Sequence, residues 1–222
     1  MSEGLYKVLS EHLTPRKREL FDSIASLRTR HLTLVLEDVY QAHNSSAVLR
    51  SMESWGIQDI YAIENTNPFH MHRRIAKGAF DWLTIHQFHE HKNNTLACIQ
   101  DLKSKGYKIV ATALHENAIP LEELDITQKT AIVMGTELSG VSNTILEQAD
   151  ENVVIPMHGF TESLNVSVAA SVIMQHLSNK LRKSNIPWQL SPEEQLQLKI
   201  EWAKQSIHWS KHLVEMYENG EI

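Results

Sequence analysis

The chain has 222 residues, 42% of them hydrophobic and 22% charged, a globular composition with room for one full domain and short appended segments. No run approaches the roughly 20 apolar residues that span a bilayer, and Met1 to Ser10 lacks the basic start and apolar core of a signal peptide, so a cytoplasmic protein with no membrane partner is expected. A formal charge of -6 argues against an indiscriminate nucleic-acid coat; the single cysteine, Cys98, set among Leu96, Ala97 and Ile99, excludes an internal disulfide and reads as a buried thiol rather than a nucleophile.

In chain order, Thr14 and Pro15 mark a helix start, and Leu20, Ile24 and Leu27 fall on one face of that helix. Residues 31–37 form the first apolar strand. A helix with Asn44 as its cap then runs to about Trp55, with Ala47, Val48, Met52 and Trp55 facing the core and Arg50 outside it. Residues 59–64 are a second strand, followed by a turn at residues 65–68, a short basic helix up to Gly78 and a weaker strand at residues 82–88. A helix at residues 95–105 ends at Gly106. Strands follow at residues 108–114 and 130–136, joined by a turn-rich connection through Pro120, and then a helix near residues 143–149.

The next strand ends at Ile155 and the chain breaks at Pro156 and Gly159. It restarts as a helix capped by Ser163, with apolar positions Val166, Ala169, Ala170, Ile173 and Leu177. Ser163, Ser167, Ala169, Ala170 and Ser171 are all small, so another backbone or a flat ligand can approach this helix closely. Strands alternating with helices, the strands almost continuously apolar, predict an α/β fold with a mostly parallel sheet flanked by helices on both faces. After Pro187 one last helix is predicted from Pro192, carrying Leu198, Trp202, Trp209, Leu213 and Met216. The expected organisation is a basic helical extension (1–30), a central domain (31–183) and a C-terminal helical extension (184–222).

Charge is unevenly placed along this plan. Arg16, Lys17, Arg18, Arg28 and Arg30 crowd the N-terminal segment, Arg73, Arg74 and Lys77 form a second cluster, and Lys180, Arg182 and Lys183 a third. Between Glu116 and Glu151 eight acids face one base, Lys129. A polyanion fits one face of such a molecule and not another.

The glycine-bracketed loop Gly135-Thr136-Glu137-Leu138-Ser139-Gly140 follows a strand and precedes a helix, where a phosphate loop would sit, but Val141 stands where the lysine belongs and Glu137 would repel phosphate. No Gly-x-Gly-x-x-Gly follows the first strand, and no Gly-x-Ser-x-Gly elbow is present. Neither His86, His89 and His91 nor His208 and His212 have the flanking acid or cysteine of a zinc site, so no metal is expected.

Three ordered segments carry a resemblance: Asn44-x-x-Ala47-x-x-Arg50, Gly135-x-Glu137-x-x-Gly140, and Ile155-Pro156-Met157 followed by Ser163-Leu164-Asn165-Val166-Ser167-Val168-Ala169. Together they resemble the motifs of the SpoU/TrmH branch of the SPOUT RNA 2'-O-ribose methyltransferases, over about residues 32–180. The basic N-terminal helix, the long C-terminal tail and the strand end Ala111-Thr112-Ala113-Leu114 make the chain most similar to members acting on guanosine 18 of tRNA. The resemblance implies a C-terminal trefoil knot, S-adenosyl-L-methionine as cofactor, tRNA as partner and a homodimer. It implies that Thr112, Gly135, Ile155 and Leu164 bind the cofactor and that Asn44, Arg50, Glu137, Ser163 and Asn165 form the catalytic side, with Asn44 anchoring Arg50. Because guanidinium groups normally stay charged, Arg50 is read either as the family's base or as a partner of phosphate and oxyanion. Arg16, Lys17, Arg18, Arg28 and Arg30 would grip RNA phosphates. The alternatives are the same chemistry on ribosomal RNA or the tRNA wobble position, or a non-catalytic RNA-binding relative.

Overall fold

A computed structural model describes residues 3–113 and 117–222. Leu114 and Glu116, read above as a strand end and part of the acidic run, lie outside the described residues. The elements are α1 (Glu3–Glu11), α2 (Pro15–Ala25), β1 (Leu32–Glu37), α3 (Ala42–Ser54), β2 (Asp59–Ile63), α4 (Arg73–Ala76), β3 (Thr84–Phe88) and α5 (Asn94–Ser104). They continue as β4 (Lys108–Thr112), β5 (Ile119–Pro120), β6 (Thr130–Met134), α6 (Asn143–Gln148), β7 (Glu151–Val154), α7 (Val166–Arg182), α8 (Pro192–Ser206) and α9 (Ser210–Glu218). The chain divides into two compact units, residues 30–188 and residues 1–29 with 189–222. The two ends, expected as separate extensions, thus belong to one unit.

The larger unit is built on a seven-stranded parallel sheet in the order β3-β2-β1-β6-β4-β7-β5. All six residues of β1 and all five of β2 and β6 are buried, as expected for strands covered on both faces. The period of two sorts their side chains. Leu34, Leu36, Ile60, Val110 and Ile132 join Val48, Leu49 and Met52 of α3 and Ile173, Met174 and Leu177 of α7. On the other face Val35, Tyr61, Ile109, Ala131 and Val133 join Cys98, Ile99 and Leu102 of α5. Truncating one of these side chains, as in Ile132→Ala, removes contact on a fully covered strand and costs about 2–5 kcal/mol.

Register aligns the strand ends that matter. Leu36 pairs with Met134, which brings Glu37 beside Gly135, and Thr112 pairs with Val153. The C-terminus of α3 is stapled to α7: the Trp55 carbonyl accepts from Ser178 Oγ at 3.1 Å and from Arg182 Nη2 at 3.2 Å.

The smaller unit is helical, with α8 against α1 and α2 and α9 against α1. It corrects the sequence reading in three ways. First, α1, whose buried residues are Leu5 and Leu9, was not anticipated. Second, α2 starts at Pro15 under a Thr14 cap as expected, but it buries Phe21 and Ala25, while Leu20 and Leu27 are 52% and 50% exposed. Phe21 meets the Trp202 ring edge-on at 5.5 Å, and that aromatic contact sets the helix rotation. Third, the last predicted helix is broken after Ser206 into α8 and α9, which leaves Trp209 half-exposed against His12, at 4.6 Å between ring centres. The start of α8 is fixed by a reciprocal cap in which Ser191 and Glu194 each bond the other's backbone N–H.

Candidate active site

The carboxyl ends of β4, β6 and β7 open into a cavity of about 460 Å³, within the range of small-molecule sites and at the end of the sheet where open parallel sheets hold ligands. Its lining is mainly apolar, including Leu121, Met134, Val153, Val166 and Ile173. Thr112, Gly135, Ile155 and Leu164 all line it, and so do Glu137 and Ser163.

The floor is a tightly folded loop. Thr136 and Gly140 exchange two backbone hydrogen bonds of 3.0 Å, Gly140 has a φ of 65°, and the Thr136 and Ser139 hydroxyls lie 2.7 Å apart. Gly135 is required because a Cβ there would sit 1.9 Å from the Gly140 carbonyl oxygen. Beyond the loop, Ser142 caps α6.

Glu37, only 3% exposed at the end of β1, ties this loop to the sheet. Its carboxylate accepts from Ser142 N–H at 2.8 Å, Ser142 Oγ at 2.7 Å and Thr95 Oγ1 at 2.7 Å. Sequence reasoning missed Glu37; a charged residue closing an otherwise apolar strand was the available signal. Asp38 was missed too. It adopts a φ of 53°, which aspartate tolerates, and its Oδ1 accepts the N–H groups of Asn65 and Thr66 at 2.8 Å and of Asn67 at 3.1 Å.

The three motif segments meet beside the cavity. Asn44 Nδ2 donates to Glu137 Oε1 at 3.0 Å, and Asn165 Nδ2 donates to the same oxygen at 2.5 Å and to Asn44 Oδ1 at 3.2 Å. These contacts join residues 93 and 121 positions apart in sequence. They also revise two expected caps. Gln41 occupies the N-cap of α3, so Asn44 lies buried inside the first turn with its amide turned toward Glu137 and Gln41 Oε1. Asn165, not Ser163, caps α7, its Oδ1 accepting Ser167 N–H at 2.9 Å.

Arg50 is exposed on α3, and its side chain makes no hydrogen bond or ion pair among the described residues. The expected anchoring by Asn44 is therefore absent: that amide is already engaged by Gln41 and Glu137. Cys98 is buried, and burial together with the nearby Asp101 carboxylate pushes its thiol well above the ordinary range, which suits a packing residue rather than a nucleophile.

Of the residues expected to grip RNA, Arg16 is exposed on α2, with Lys17 and Arg18 half-buried. Arg28 is not available: it is 1% exposed with its guanidinium 5.6 Å from the centre of the Trp202 ring, because it follows Phe21 and Ala25 on the inward side of its segment. Arg30 is held on the sheet by Asp59, Nε to Oδ2 at 3.0 Å.

Residues 31–175 match the SpoU rRNA Methylase family. The chain belongs to this family. Two relatives, each a tRNA (guanosine(18)-2'-O)-methyltransferase, are similar over a longer span. That of Borreliella burgdorferi is 40% identical over 200 residues, covering 90% of each chain. That of Thermus thermophilus is 33% identical over 197 residues, covering 86% of this chain and 97% of its own. The crystal structure of the A. aeolicus TrmH/SpoU tRNA modifying enzyme superposes with a TM-score of 0.77 at 29% identity, over 86% of this chain and 97% of that one. The parallel sheet and its flanking helices are thus the SpoU architecture.

Proposed function

We propose that this protein transfers a methyl group from S-adenosyl-L-methionine to the 2'-hydroxyl of guanosine 18 in tRNA. The observation that carries the reading is the meeting of Asn44, Glu137 and Asn165 at the mouth of the cavity formed by the strand ends. Two relatives with this activity share most of the chain's length.

The donor would lie in the cavity against Thr112, Gly135, Ile155 and Leu164, whose mixture of apolar side chains and loop backbone suits an adenine ring and a short polar tail. When bound it supplies an already activated methyl group, so the protein's task is to orient the hydroxyl and help it lose a proton. Both Asn amides donate to Glu137 Oε1, which leaves Oε2 to accept a hydrogen bond from the hydroxyl. Ser163, exposed on the cavity rim, is a second polar contact for substrate. Arg50 acts as a charged group, holding the adjoining phosphate and countering charge that develops on the oxygen.

The active species is a homodimer whose C-terminal part carries the trefoil knot of its family. What supports the dimer is apolar surface around the cavity: Leu138 and Phe160 are fully exposed on their loops, and Val168 and Val172 lie one turn apart on the outer face of α7. No helix of the described residues is long and apolar enough to cross a membrane, and cytoplasmic tRNA is the substrate in this reading.

The test is methyl transfer from labelled S-adenosyl-L-methionine to two unmodified tRNA transcripts, one with guanosine and one with adenosine at position 18. Label only in the first, recovered as a 2'-O-methyl group, is the expected result. Label in both moves the target elsewhere on tRNA, and label in neither alongside measurable donor binding refutes the reading.

A further inference from the structure

The three basic clusters of the sequence are used very differently in the folded chain. The third is partly structural: Lys180 Nζ donates to the carbonyls of Glu122 and Leu124 at 3.1 and 2.6 Å and Arg182 to that of Trp55, while Lys183 is exposed. In the first, Arg28 is buried and Arg30 paired with Asp59. In the second, Arg74 and Lys77 are exposed, and neither has an ion-pair partner among the described residues.

Lys77 has a further peculiarity. It closes α4 with a φ of 48°, directly before Gly78 with a φ of 79°. Left-handed backbone is costly for a residue with a Cβ and free for glycine. The sequence places glycine at one of these two positions and lysine at the other, so the lysine is held there at the expense of the backbone. Backbone strain of this kind clusters at functional sites.

The α4 segment is also fixed in place. His72 N–H donates to Ser46 Oγ at 2.7 Å, which docks the segment on the first turns of α3, and α3 packs against α4. Helix α3 carries Asn44 into the site and Arg50 into solvent. His43 is exposed on α3, and His70 and His72 are exposed on the segment just before α4. The acids nearest in sequence, Glu53 and Asp81, are half-buried, and Asp81 lies close by, its Oδ2 3.5 Å from where a Cβ on Gly78 would sit.

We infer that α4 and the outer side of α3 form a phosphate-binding surface next to the active site, with Arg74 and Lys77 contacting the RNA backbone on the path that leads to Arg50. This rests on the proposed activity on tRNA and extends it: the substrate is held by the catalytic unit itself and not only by the basic residues of α2. Such contacts give affinity and salt dependence with little sequence discrimination.

The experiment measures binding of an unmodified tRNA transcript to the full-length protein across a salt series, for the wild type, Lys77→Gly, Arg74→Gln and the double variant. Lys77→Gly removes the charge while favouring the native backbone, so its melting temperature stays level or rises. Each lost contact makes the slope of log K against log salt shallower by about 0.7–0.9, and the double variant binds on the order of tenfold more weakly near physiological salt. S-adenosyl-L-methionine affinity stays unchanged in all four proteins. A folded double variant with the wild-type slope overturns the inference. If the wild type binds the transcript without methylating it, the proposed activity falls while the slope comparison still decides whether this surface holds RNA.

Discussion

Two loops line the same cavity and are held in opposite ways. Residues 135–142 are closed by the paired backbone bonds of Thr136 and Gly140, by the Thr136–Ser139 hydroxyl contact and by the buried Glu37 carboxylate. Residues 157–164 contribute Met157, Glu162, Ser163 and Leu164 to the lining, yet make no hydrogen bond among the described residues, and Phe160 stands fully in solvent. The difference separates two tasks. A floor fixed before anything binds lowers the cost of ordering a ligand against it, whereas a wall without internal bonds is free to take its shape from a partner.

The strongest way to break this contrast is at the floor. In Gly135→Ala the new Cβ would overlap the Gly140 carbonyl, so the loop must open. We expect S-adenosyl-L-methionine affinity to fall by at least about 100-fold, on the order of 3 kcal/mol, measured by calorimetry. Affinity within threefold of wild type would mean that the closed loop is not needed for the donor.

Next in size is Glu37→Gln. One acceptor oxygen becomes a donor facing Ser142 or Thr95, each of which already donates, and the cost is about 2–3 kcal/mol in chemical denaturation. Glu37→Ala should be at least as damaging. A loss under about 0.5 kcal/mol in both variants would show that the floor is held by its own loop bonds alone.

The smallest expected effect is on the wall. Phe160→Ser should leave protomer stability within about 0.5 kcal/mol, since the ring is fully exposed, while weakening self-association measured by analytical ultracentrifugation. Unaltered self-association would remove Phe160 from the proposed dimer surface.

The same contrast explains how much was legible in the sequence. Strands and helices of the larger unit follow from apolar runs and glycine or proline breaks, which are local signals, and the structure reproduces their order. Asn44, Glu137 and Asn165 stood out because each sits in a compact motif. Glu37 did not, because its meaning depends on Ser142, 105 residues away. Residue type points to Asn44 and Ser163 as caps, but Gln41 and Asn165 take those places, Asn44 being drawn to Glu137. Residue type alone places Arg28 on the surface, the ordinary outcome for arginine beside a short helix; its aromatic neighbour Trp202, 174 positions later in the chain, turns it inward. The rotation of α2 and the break before α9 escaped notice for the same reason, being set by helix packing rather than by the residues of either helix.

The most direct test of the account uses Asn44→Ala, which removes one corner of the Asn44–Glu137–Asn165 unit without touching the cavity lining. Donor affinity and the single-turnover rate of methyl transfer to tRNA would be measured on the same folded preparation. The account predicts affinity within about twofold of wild type and a rate lower by about 100-fold, the size expected when a group that positions a proton acceptor is lost. A rate within threefold of wild type, or a loss of rate matched by an equal loss of donor affinity, would contradict it.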